Sequence, residues 1–145
     1  MKNRPASAGR LPLLMIVAID HFVLTVQSLE VSLDFYERVL GMQRVVTAGR
    51  PTALAFGTQK INLHQFDHTF EPKAKLPTPG AADFCLITEQ PLETVAVHLA
   101  AENVTIELGP VERNGARGPM HSLYFRDPDG NLVEVSRYRD DLNIS

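Results

Sequence analysis

The sequence predicts an α+β domain: two successive βαβββ units whose eight strands form a curved, barrel-like mixed sheet with the helices outside. Three observations carry this. Two stretches with the 3.6-residue period of a surface helix are each preceded by one strand-like run and followed by several shorter ones. Setting Asp83 opposite His21 aligns Phe84 with Phe22 and Leu86 with Leu24, so the second half repeats the pattern of the first with little residue identity. The segment from Met120 to Val135 reads as strand, tight turn and strand, with Glu134 set between two valines.

In order, Ile16–Val26 is a strand rich in β-branched residues. Ser28 is placed to cap the next helix, in which Leu29, Leu33, Tyr36 and Leu40 recur on one face, and Gly41 is placed to end it. Short strands are expected at Gln43–Thr47, Ala53–Phe56 and Lys60–Phe66. Pro72, Pro77, Pro79 and Gly80 mark a linker or surface loop. Ala82–Thr88 opens the second unit, and Pro91 suits the first turn of a helix carrying Leu92, Val95, Ala96 and Leu99. Thr105–Leu108 reads as a short strand and Gly109–Pro119 as a polar, Gly- and Pro-rich loop. Met120–Arg126 and Asn131–Tyr138 complete the set. Between them Pro128 presets φ in an Asp-Pro-Asp-Gly turn, where Gly130 accepts a conformation other residues resist.

At 145 residues the chain fits one domain whose core needs no disulfide or structural metal. It divides into module one (15–66), a linker (67–81) and module two (82–138), flanked by a flexible tail over 1–14 and a C-terminal tail over 139–145. The formal charge of −3, with no basic stripe, argues against nucleic-acid binding. Lys2, Arg4 and Arg10 precede an apolar run, but Pro12 and the lack of a small-residue cleavage site make a targeting peptide unexpected. Met15 is a candidate natural start. No stretch approaches the ~20 apolar residues of a membrane helix, so no membrane partner and a cytoplasmic location are expected. Cys85, the single cysteine, lies in an apolar run and is expected as a buried small hydrophobe.

Residues two apart in a strand share a face, which puts His21 with Val23 and Thr25. Asp83 is the counterpart of His21, and Asn62 that of Glu134, with His64 two residues beyond Asn62. Strands from both halves therefore present His21, Asn62 or His64, Asp83 and Glu134 to a common centre. Nitrogen and carboxylate donors without thiolate suit a divalent Fe, Mn, Ni, Co or Zn ion rather than a structural zinc. Blander readings stand beside this one: His21 and His64 as satisfied, partly buried polar residues, Asp83 as a strand start, and Glu134 as a solvent-facing acid or a partner of Arg137.

With these residues laid out, the chain resembles the vicinal oxygen chelate superfamily, which includes glyoxalase I, fosfomycin- and bleomycin-resistance proteins and extradiol dioxygenases. The resemblance covers roughly residues 15–138. It rests on Ile19-Asp20-His21-Phe22-Val23-Leu24-Thr25-Val26, on Phe35-Tyr36-Glu37-Arg38-Val39-Leu40-Gly41-Met42 and on Tyr124 through Glu134. More narrowly, Phe56 to His64, Phe70 to Ala74 and Cys85 to Glu89 resemble the subgroup around glyoxalase domain-containing protein 5.

The resemblance implies paired βαβββ modules with a divalent metal in their cleft, holding a small substrate through two adjacent oxygens. It assigns His21 and Glu134 as metal ligands. Asp83 stands where the better-known members carry histidine, and Asn62 or His64 where glyoxalase I carries a glutamate or comparable ligand. The expected metal set is therefore His21, His64, Asp83 and Glu134, with Tyr124 a proton donor or barrel-wall aromatic and His121 an acid–base group or pocket lining. A metal-dependent lyase, isomerase or ring-cleaving dioxygenase is implied, and the alternative is a non-catalytic sequestering protein of the bleomycin-resistance type. A homodimer is also implied, in some relatives with modules exchanged between chains.

Overall fold

The structure is a computed structural model and describes residues 15–139. The expected tail over 1–14 and all but the first residue of the C-terminal tail lie outside the described residues. The elements run β1 (His21–Val26), α1 (Leu29–Leu40), β2 (Gln43–Val45), β3 (Thr52–Phe56), β4 (Gln59–Gln65), β5 (Asp83–Ile87), α2 (Leu92–Ala101), β6 (Leu108–Gly115), β7 (Gly118–Arg126) and β8 (Leu132–Tyr138). This is the expected α+β architecture, with the eight strands divided between two four-stranded sheets, ordered β1-β4-β3-β2 and β5-β8-β7-β6. In each sheet the first pair is parallel and the others antiparallel, so the two modules share one topology.

Local signals explain most boundaries. Ser28 Oγ accepts from the Val31 amide at 3.3 Å and opens α1. Gly41 closes it at φ 69°, its N–H reaching the carbonyls of Tyr36 and Glu37, a left-handed cap that glycine adopts at little cost. The buried face of α1 carries Leu33, Phe35, Tyr36 and Val39. The second helix starts after Pro91 and buries Leu92 and Leu99.

Two expectations are corrected. Residues 15–20 belong to no strand, and β1 begins only at His21. The strand expected at Thr105–Leu108 and the loop expected at 109–119 are both displaced: β6 begins only at Leu108, runs to Gly115 and pairs with β7. As the outer strand of its sheet it tolerates Pro110, which sits at the register shift between Leu108 and Val111. Gly109 is required at that bulge, since at φ +116° an added Cβ would strike the Ser122 carbonyl.

One hydrophobic core serves both modules. It takes Leu24 and Val26 from β1, Leu54 from β3, Ile61 and Leu63 from β4, Leu123 and Phe125 from β7, and Val133 and Val135 from β8, together with residues of both helices. Each such side chain contributes roughly 1.5–3 kcal/mol when fully buried. Phe22 and Phe84, the matched first-strand residues, meet edge to face at 5.3 Å. The Asp-Pro-Asp-Gly turn fastens the modules. Asp127 accepts from the Tyr36 hydroxyl at 2.6 Å and from the amides of Asp129 and Asn131, and Asp129 accepts from the Gln27 amide at 3.0 Å. Because these back faces share a core, the opposite faces of both sheets point away from it.

Candidate functional site

The open face of module one is set by strand parity. His21, Val23 and Thr25 of β1 stand in register with Lys60, Asn62 and His64 of β4. A cavity of about 630 Å³ lies over this face, and its walls include His21, Asn62, His64, Arg50 and Phe70. All its lining residues come from module one and the linker. Asp20 Oδ2 lies 2.7 Å from Nδ1 of His21, the carboxylate–imidazole pairing that orients a histidine and frees Nε2 for a metal. The buried Oδ1 of Asn62 and Nδ1 of His64 have no hydrogen-bond partner, so two donor atoms are held ready on one strand face. Burial, aided by the nearby Lys73 charge, lowers the His64 pKa and favours the neutral imidazole that a metal requires. His21 and His64 do not share one point. His64 is in register with Thr25, four residues along from His21, or about 13 Å of strand.

Module two presents Asp83, Cys85 and Ile87 from β5, Glu134 and Ser136 from β8, and Ser122 and Tyr124 from β7. Glu134 stands in register with both Cys85 and Tyr124. Its Oε2 accepts from Ser136 Oγ at 3.1 Å, and Ser136 is 2.6 Å from Ser122 Oγ and 3.1 Å from Cys85 Sγ. With Ser136 donating to Glu134, these hydroxyls form a one-way chain ending on the carboxylate. The Tyr124 hydroxyl accepts from Arg113 Nε at 2.9 Å. Burial, with the Glu134 charge and hydrogen bond, raises the Tyr124 pKa against the opposing effect of Arg113, so the phenol stays protonated. Asp83, in register with Leu132, is a diagonal neighbour of Glu134 on the same face.

Other expectations change. Cys85 is exposed on this face rather than buried in the core. His121 is in register with Glu112 and Arg137, on the opposite face of β7 from Tyr124 and Glu134. Its Nε2 lies 4.0 Å from the Glu112 carboxylate. Arg137 likewise stands on the face opposite Glu134. Thus the structure unites His21, Asn62 and His64 around one cavity and Asp83, Glu134 and Tyr124 on a second face. Among the described residues, no group of three or more His, Cys, Asp or Glu side chains converges to hold a metal within one chain. Sequence reasoning missed Asp20, Ser122, Ser136 and Arg113. For Asp20 the available signal was its place directly before His21; for the serines it was two hydroxyls on the strands flanking one turn.

Matched modules, two donor-bearing open faces and a fastening turn describe a fold that comparison with known proteins identifies. Residues 18–135 match the model of the Glyoxalase/Bleomycin resistance protein/Dioxygenase superfamily. The chain belongs to this superfamily. Within the superfamily, it is 50% identical over 125 residues to virulence protein STM3117 of Salmonella typhimurium, covering 86% of this chain and 87% of that protein. The crystal structure of that protein superposes with a TM-score of 0.84, over 86% of this chain and 98% of the other. The glyoxalase domain-containing protein RDO1 of Mycosarcoma maydis is 44% identical, over 88% of this chain and 72% of its own length. A lactoylglutathione lyase from Agrobacterium tumefaciens, 24% identical with a TM-score of 0.64 over 83% of this chain and 92% of the other, shares the superfamily fold.

Proposed function

We propose that this chain is a metal-dependent enzyme that binds a small substrate through two adjacent oxygens, in a cleft built by two copies. Module one of one copy faces module two of the other, so His21 and Asn62 meet Asp83 and Glu134 of the second copy. The observation that carries this reading is the split donor set: oriented or partnerless donors on one open face, a carboxylate on the other, and, among the described residues, no convergence of the two within one chain. Imidazole nitrogen with carboxylate and amide oxygen fits a divalent Fe, Mn, Ni, Co or Zn ion. The metal, when bound, supplies positive charge that stabilises an enolate or activates a bound oxygen. Ser136 donates to one oxygen of Glu134, and Tyr124 holds a protonated hydroxyl in hydrogen-bond contact with the same carboxylate. These groups suit proton transfer in a lyase or isomerase, or proton donation in ring cleavage.

Metal analysis of co-purified variants tests the proposal. His21→Ala and Glu134→Ala should each lose a stoichiometric metal. A heterodimer of the two variants should regain about one metal per dimer, because one of its clefts holds both native residues. No recovery in the heterodimer sinks the two-copy cleft. A parent protein that takes up no metal after reconstitution supports the second reading, a sequestering protein, which the aromatic contact of His64 with Phe70 at 5.5 Å favours. With metal bound, oxygen uptake on catechol against lactoylglutathione formation separates dioxygenase from lyase.

A further inference from the structure

We infer that the end of module two's open face around Arg113 and Arg117 is a subsite for a carboxylate group of the substrate. The inference rests on the small-molecule cleft proposed above and narrows what that cleft takes.

Four of the eight arginines among the described residues are already neutralised by carboxylates. Arg38 pairs with Asp34 and Glu102, Arg44 with Glu30 and Glu37, Arg126 with Glu107, and Arg139 with Glu112. Arg113 and Arg117 are held differently: among the described residues neither has a carboxylate at ion-pair distance. The guanidinium of Arg113 lies 5.4 Å from the centroid of the Tyr124 ring, and that of Arg117 lies 4.1 Å from the centroid of Tyr138. Hydrogen bonds lock the same pairs, from Arg113 Nε to Tyr124 Oη at 2.9 Å and from the Arg117 amide to Tyr138 Oη at 3.1 Å. Glu112, adjacent in sequence, turns to the opposite face of β6, where it meets His121 and Arg139.

Strand register gathers these groups. Arg113, Met120 and Tyr138 form one row across β6, β7 and β8, and Tyr124 stands two same-face steps from Met120. Two positive charges are thus fixed in place by aromatic rings instead of by acids. Among the described residues Arg113 Nη2 has no hydrogen-bond partner, while Nε and Nη1 bond Tyr124 and the Glu112 carbonyl. A planar guanidinium fixed in this way loses little freedom on binding a planar carboxylate. Its contact with Tyr124, which faces Glu134, sets the anion about one aromatic ring away from the carboxylate proposed to hold the metal.

Isothermal titration of the full-length protein with matched ligands tests the subsite. With metal bound, 3,4-dihydroxybenzoate should bind more tightly than 3,4-dihydroxybenzamide. Arg113→Gln and Arg117→Gln should each weaken the carboxylate by about tenfold and leave the amide unchanged. Benzoate against benzamide in chelator-treated protein repeats the comparison without metal. Failure to bind metal overturns the enzyme reading alone, because the benzoate preference still reports on the arginines. Equal binding of acid and amide by the parent protein, or equal weakening of both by the substitutions, overturns the subsite.

Discussion

The Tyr36 hydroxyl donates to the Asp127 carboxylate at 2.6 Å across the junction of the two modules, with Tyr36 0% and Asp127 5% exposed. This bond ties the helix of the first module to the turn of the second. Burial and the Asp127 charge push the phenol pKa far above its ordinary value, so the tyrosine is a permanent donor.

Tyr36→Phe therefore removes one of the donors around a buried carboxylate without emptying the core. The expected loss is about 1–3 kcal/mol in urea denaturation. Asp127→Ala should cost more, because it also strands the amides of Asp129 and Asn131 and the Asn131 side chain. Equal stability of Tyr36→Phe and the parent protein would show that the junction relies on packing alone.

His64 makes stability depend on pH. Chiefly through burial, its folded pKa lies below the ordinary value for histidine. Between the two values the unfolded chain binds more protons, so its contribution is complete above the unfolded pKa and declines as pH falls toward the folded one. His64→Gln should flatten the dependence of unfolding free energy on pH across that window. An unchanged slope in the variant would assign the dependence to other groups.

Asp20 tests whether the His21 ring is oriented for a metal. Asp20→Asn should weaken metal affinity about 10–100-fold, as the loss of an outer carboxylate does at histidine sites. His121→Ala, altered on the other face of β7, should keep full affinity. Titration of chelator-stripped protein with Mn(II) or Zn(II) checks both, and equal losses in the two variants would remove the distinction between the faces.

Most elements were legible because their signals are local. Ser28 and Gly41 bracket α1, and Pro128 and Gly130 make the turn, through contacts within a few residues. The failures were not local. The edge strand β6 carries loop-like composition because only one side of it must satisfy a sheet, so residues after Leu108 read as coil. Cys85 read as core because its neighbours are apolar, yet strand parity places it beside Glu134 on the open face.

By itself the sequence determined the two βαβββ modules and the residues that alternate onto each strand face, since period-2 and period-3.6 patterns are properties of short segments. It thereby put His21 and Asn62 or His64 in one module and Asp83 and Glu134 in the other, with both sets expected at a common centre. Tertiary structure alone decided how those sets stand to one another. The back faces of both sheets bury their apolar residues in one core, a choice made by long-range packing and by the Tyr36–Asp127 bond. That packing turns the two donor sets outward on separate faces, although the alternation along each strand would equally serve a single shared centre.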